Sequence, residues 1–187
     1  GGDFPKRYVS LYERHGIDLE GLQHVKDGKT FHWSGEYEVN MNNRQTLNTE
    51  LGVIEHYKPT LPKGYERSPY VLLANISPDL QLHVLDQMKK PKFIAADSMD
   101  LWLNIALDDV MKLLKRVDLF VLNDSEAHQL TETDNVVKAI KRIHKMGPRF
   151  VIVKKGEHGA VYSGPDGMFI TPAFPLANVV DPTGAGD

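Results

Sequence analysis

The sequence predicts an α/β fold: a mostly parallel sheet flanked by helices, with a small β ribbon outside the core. Three observations carry this. Short apolar runs, "YVLLANI", "KFIAAD", "DLFVLN" and "RFVIVKKG", alternate with stretches of helical period. The runs are continuous, the pattern of parallel strands covered on both faces. Residues 25–51, in contrast, are rich in Thr, Asn and aromatics and carry no helical stripe.

The elements follow in order. "DFPKRYVSLYERHGIDLEGL" predicts a helix capped by Asp3, with Phe4, Tyr8, Leu11 and Tyr12 on one face and His15-Gly16 at its end. "KTFHWSGEYEVNMNNRQTLNTE" holds Ser-Gly and Asn-Asn turn signals between short strands, and "KPTLPKGYERSP" is a proline-punctuated connection. Ser77 and Pro78 stand as N-cap and first residue of "PDLQLHVLDQMKK". "DLWLNIALDDVMKLLKRV", "DSEAHQLTE" and "DNVVKAIKRIHKM" are helical, the last stopped by Gly147-Pro148. Its charged run "VKAIKRIHK" reads as a solvated face. "GAVYSGPDGMFITPAF" predicts a hairpin turning at Gly164-Pro165-Asp166-Gly167.

Composition narrows the function classes. The 187 residues are 41% hydrophobic and 25% charged, enough for one well-cored domain with a small appendage. A formal net charge of -3 gives no basic footprint for nucleic acid. There is no cysteine, which excludes disulfides and thiolate metal sites and fits a reducing, cytoplasmic setting. No apolar stretch reaches the roughly 18 residues of a membrane span, so neither nucleic acid nor membrane is an expected partner. The eight histidines lack metal-ligand spacing. No G-x-G-x-x-G follows an N-terminal strand and no G-x-x-x-x-G-K-[ST] is present, which disfavours a dinucleotide-binding dehydrogenase and a P-loop kinase.

In open parallel sheets ligands bind beyond the carboxyl ends of the strands. That singles out Asn75, Asp97, Asn123, Glu126, Lys154 and Gly156. Three stretches there suit phosphate chemistry. In "DPTGAGD" (181–187) the Gly-Ala-Gly backbone can bring N–H groups close to an anion. Asp187 beside them suits deprotonation of an alcohol attacking phosphorus. The same residues also read as a plain turn and N-cap. Asn123 and Glu126 offer hard oxygen ligands for Mg²⁺ held through water, and equally form a capping box. Lys154-Lys155-Gly156 could approach a nucleotide, or could be a lysine-rich hairpin with a glycine bulge.

In this order the pieces resemble the PfkB/ribokinase family of carbohydrate kinases, and the resemblance spans the whole chain. "DPTGAGD" resembles the family's second signature, which implies Gly184, Ala185 and Gly186 as the anion hole and Asp187 as catalytic base. "NDSE" resembles its Asn-x-x-Glu motif, associated with Mg²⁺ and phosphate, which implies Asn123 on the nucleotide and Glu126 organising Mg²⁺ through water. "KKGEHGA" occupies the place of its nucleotide-contacting turn, implying Lys154, Gly156 and Gly159, although the family more usually has Thr-Leu where Lys154-Lys155 stand. "GGDFPKRYVSLYERHGIDLEGL" is similar to the helix after a Val-Gly-x-Asp strand end. "TFHWSGEY" falls where these enzymes carry a β lid, here about 30–48.

The resemblance implies a ribokinase-like (Rossmann-like) domain over 1–187. Its expected activity is ATP-dependent phosphoryl transfer to a hydroxyl of a small sugar, with ATP and Mg²⁺ required. Phe31, Trp33 and Arg44 in the lid, with Asn75 and Asp97, would touch the substrate, and the lid could pair two copies as a homodimer. Asp181 resembles a position implicated in monovalent-cation binding, which adds K⁺. A nucleoside kinase of the same fold and a non-catalytic binding protein on this scaffold are the alternatives. The family's first strand with its sugar-binding Asp, and everything after the GAGD motif, have no counterpart here. The expectation is therefore a piece of a longer enzyme, with little activity by itself.

Overall fold

The computed structural model describes residues 1–38 and 44–186, and of residue 44 the backbone alone. Two compact units divide the chain, Gly1–Lys63 and Gly64–Asp187. In the first, helix α1 (Lys6–Arg14) precedes a two-stranded antiparallel ribbon of β1 (His32–Tyr37) and β2 (Arg44–Glu50), with a register shift between Ser34 and Gly35. Asp3 does not cap α1. Pro5 holds the N-cap position, and the Asp3 carboxylate instead accepts from the Thr30 backbone N–H at 2.7 Å and the Thr30 hydroxyl at 2.6 Å. These bonds hold its pKa below the usual carboxylate value. A local cap signal lost here to a partner 27 residues away.

The second unit alternates strands and helices: β3 (Tyr70–Leu73), α2 (Pro78–Gln87), β4 (Phe93–Asp97), α3 (Asp100–Ile105), α4 (Leu107–Leu114), β5 (Leu119–Asn123), α5 (Asp124–Thr131), α6 (Val136–Met146), β6 (Phe150–Lys154), β7 (Ala160–Gly164) and β8 (Gly167–Thr171). They build one six-stranded sheet in the order β3-β4-β5-β6-β7-β8. The first four strands are parallel and the last two antiparallel. The hairpin β7–β8 closes with Gly164 opposite Gly167 across Pro165-Asp166.

Local chemistry accounts for the helix boundaries. Pro78 opens α2 at a position where a missing N–H costs nothing. Ser77 is its N-cap residue but makes no capping bond; its hydroxyl turns to the Asp79 carboxylate. Ala106, at φ −139° and ψ 33°, breaks "DLWLNIALDDVMKLL" into α3 and α4. In α6 the run "VKAIKRIHK" is not wholly solvated: Ala139, Ile140 and Ile143 are buried, and the charges line the other face.

The strand order has a consequence for layering. Consecutive parallel strands joined by right-handed crossovers send every connecting helix to the same side of the sheet. The helices α2, α4, α3, α5 and α6 indeed pack against one another in succession. Among the described residues of this unit, helices therefore cover one face, not both as the apolar runs imply. Phe120, Leu122, Val151 and Val153 are almost fully buried, in one apolar cluster with Leu113 and Ile140 of the helices. Each such side chain contributes at most about 1.5–3 kcal/mol by its burial. The opposite face carries Leu119, Val121, Phe150 and Ile152, half-buried, and Tyr70 and Leu72, each 71% exposed. Phe150 stacks there on Tyr162 with ring centroids 6.2 Å apart and meets Phe93 at a tilt, 5.8 Å away. No described helix is long and apolar enough to cross a membrane.

Candidate active site

Asn123 and Lys154 end the neighbouring parallel strands β5 and β6, and they are register partners. By strand alternation both fall on the half-buried side of the sheet, as does Asp97 at the end of β4. The carboxyl edge of the sheet thus gathers an amide, an ammonium and a carboxylate.

Asn123 is also the N-cap of α5, and the capping box with Glu126 is fully formed. The Asn123 Oδ1 accepts from the Glu126 N–H at 2.8 Å and from the Ser125 hydroxyl at 2.7 Å. In return Asn123 donates its N–H to Glu126 Oε2 and its Nδ2–H to Glu126 Oε1, each at 2.8 Å. Glu126 is buried, at 8% exposure. That burial pushes its pKa above the usual carboxylate value. The Asn123 N–H and the Lys154 charge work against the rise, while Asp100 and Asp97 add to it. Asp100, at the start of α3, is a member of this electrostatic group that the strand-end rule misses, since it sits three residues past β4.

The turn of "DPTGAGD" is closed within itself. Ala185 N–H donates to the Pro182 carbonyl at 3.0 Å, and Thr183 N–H donates to Asp181 Oδ1 at 2.9 Å. The Thr183 backbone and side chain hold the Asp181 pKa down. Of the three anion-hole candidates, Gly184 and Gly186 offer N–H groups that bond to nothing among the described residues, whereas the Ala185 N–H is spent in the turn. The turn is linked to the sheet edge by Lys154, whose Nζ donates to the Gly186 carbonyl at 2.8 Å. Asp187 lies outside the described residues.

After Lys154, the chain turns through Gly156–His158, with Lys155 N–H donating to the Gly159 carbonyl at 2.7 Å. Gly156 and Gly159 differ in kind. A Cβ on Gly156 (φ 54°) would meet open space, so a ligand can approach the backbone there. One on Gly159 (φ 89°) would collide with the Thr171 carbonyl oxygen, so this glycine is demanded by the hairpin.

Asn75 stands past β3, exposed, its Oδ1 accepting from Trp102 Nε1–H at 2.8 Å and its Nδ2 set 3.2 Å from Met99 Sδ. Gln81, 2% exposed, donates to the carbonyls of Leu73, Ala74 and Asp97 at 3.0–3.2 Å and ties the ends of β3 and β4 together. Neither Trp102 nor Gln81 is legible from strand-end position, because both reach the edge from helices. In the first unit, Phe31 is 39% exposed just before β1. Trp33 lies along its own ribbon, packed over Gly35 and bonded to Thr46 Oγ1 at 3.2 Å. Arg44 begins β2, and its side chain is outside the described residues.

Among the described residues no three His, Cys, Asp or Glu side chains converge on a metal site. The donor set does not fit a protein cage for Mg²⁺. It fits a water-mediated ion, because Glu126 keeps further lone pairs after accepting from Asn123.

The fold is an α/β fold of ribokinase type, as solved structures bear out. The chain superposes on a putative ribokinase II of E. coli in complex with ATP and Mg²⁺ with a TM-score of 0.79, at 19% identity, covering 97% of this chain and 62% of that one. For the nucleoside kinase of Burkholderia thailandensis in complex with inosine, the TM-score is 0.76 at 16% identity, over 97% of this chain and 59% of that one. The pfkB family carbohydrate kinase model matches residues 1–187, and the chain belongs to that family. Over its whole length it is 28% identical to 67% of a cytidine kinase from Thermococcus kodakarensis. A ribokinase of Arabidopsis thaliana is 35% identical over 82 residues, 41% of this chain and 22% of that protein. The chain thus spans less than two thirds of the length of these solved structures.

Proposed function

We propose that this chain carries the phosphoryl-transfer edge of an ATP-dependent kinase whose acceptor is a hydroxyl of a small sugar, free or within a nucleoside. One observation supports this above the rest. Residues 123–126, 154–156 and 184–186, far apart in sequence, meet at one edge of one sheet through the Asn123–Lys154 register and the Lys154–Gly186 bond. A capping box or a glycine turn alone would require no such convergence.

In this reading, Asp187 takes the proton from the acceptor hydroxyl as it attacks. The N–H groups of Gly184 and Gly186 stabilise charge on the transferred group, and Ala185 joins them only if its bond to Pro182 opens. Asn123, Lys154 and the open backbone at Gly156 face the nucleotide, and Gly159 shapes that turn. Glu126 holds the water shell of Mg²⁺, which when bound neutralises phosphate charge. Asp97 and Asn75, at the strand ends of the second unit, are assigned to the acceptor. Asp181 serves first as the turn's internal acceptor.

The nucleoside reading has its own support, since the cytidine kinase relative aligns with all of this chain and the ribokinase relative with 41% of it. Incubating the full-length protein with ATP, Mg²⁺ and a panel of pentoses, hexoses and nucleosides, with mass detection of phosphorylated product, tests both. A product from any of these supports the kinase, and its identity chooses the acceptor class. No phosphorylated product from any acceptor rejects it.

A further inference from the structure

We infer that Lys154 is a positioning residue that clamps the Gly184–Gly186 turn onto the carboxyl edge of the sheet, rather than only a cation waiting for nucleotide. This rests on the phosphotransfer reading of that turn, but the contact itself does not.

The turn organises its own interior, through Ala185 to Pro182 and Thr183 to Asp181. Neither bond says where on the protein the turn should sit. The Lys154 Nζ supplies that information, donating across 32 residues to the Gly186 carbonyl at 2.8 Å. A Cβ on Gly186 would lie 3.4 Å from the same Nζ, so the ammonium rests directly against the backbone of the turn. The base of the clamp is stiff. Lys154 ends β6, hydrogen-bonded in register to β5 on one side and β7 on the other. Its cross-strand partner Asn123 is itself fixed by the capping box.

An ammonium has three donors. One spent on Gly186 fixes the direction of that carbonyl. The others keep positive charge beside the N–H groups that would meet a phosphoryl oxygen. A misplacement of about 1 Å at such a site costs on the order of 10²-fold in rate.

The test uses the full-length protein and two variants, Lys154→Met, which keeps the aliphatic stem, and Lys154→Arg, which restores a donor. Hydrogen exchange over residues 181–187 is measured without substrate, and steady-state kinetics are measured with ATP and whichever acceptor the wild type phosphorylates. The clamp predicts faster exchange in that segment for Lys154→Met. It also predicts a fall in kcat of about 10–100-fold that exceeds any rise in KM for ATP, and recovery of both protection and kcat in Lys154→Arg. Unchanged exchange in Lys154→Met overturns the clamp whatever happens to the rate. A raised KM for ATP with unchanged kcat also overturns it, assigning Lys154 to direct nucleotide contact. Absence of phosphoryl transfer in the wild type would reject the kinase reading, and the exchange comparison would still decide the clamp.

Discussion

Both carboxylate oxygens of Glu126 are held by Asn123, one by its backbone N–H and one by its side-chain amide, each at 2.8 Å. The start of helix α5 and the environment of the buried acid are thus one structure. A change at either residue disturbs both.

Asn123→Ala should cost about 0.5–2 kcal/mol through loss of the N-cap, seen as a lower urea midpoint. It also strips one donor from a buried carboxylate, so the loss should exceed that of Asn135→Ala. Asn135 caps the start of α6 but serves no buried acid. Equal losses at the two caps would contradict the coupling.

Glu126 gives a pH signature. Its folded-state pKa lies above the unfolded value, chiefly through burial. Its contribution to stability is therefore complete below the ordinary carboxylate range and is lost as pH rises through the raised value. Comparing the wild type with Glu126→Gln from pH 4 upward should show the wild type losing stability relative to the variant across that window. Affinity for Mg²⁺ with ATP should move the other way, growing as Glu126 ionises, and the variant should lack that rise. Parallel curves for the two proteins would remove Glu126 from both roles.

The two glycines past β6 should separate cleanly. Gly159→Ala forces a side chain into a glycine-only conformation against the Thr171 carbonyl, and should cost at least about 1–3 kcal/mol. Gly156→Ala meets open space, and should cost about 1–2 kcal/mol for its left-handed backbone while raising KM for ATP. A larger stability loss at Gly156 than at Gly159 would contradict the assignment.

The four parallel strands and the hairpin are legible in the sequence because continuous Val, Leu and Ile runs between helical stretches leave few other arrangements. That the described helices of the second unit lie on one face of its sheet is not. A half-exposed face built from Leu119, Val121, Phe150 and Ile152 spells the same apolar run as a buried one. The Asn123–Glu126 spacing announces both a capping box and a site motif, and the structure shows the box. Asp3 misleads for the reverse reason: its best donors lie on Thr30, beyond the reach of local cap rules. Lys154 and Gly186 could not be paired from spacing, since only the fold brings the end of β6 to the turn.

The central claim, that this sheet edge performs phosphoryl transfer with Asp187 as base, is tested most directly by turnover of Asp187→Asn in the full-length protein, with ATP and the acceptor that the wild type phosphorylates. A loss of roughly 10²–10⁴ in kcat is predicted, the span of a positioned general base, with KM for ATP little changed. Wild-type turnover by the variant would contradict the account.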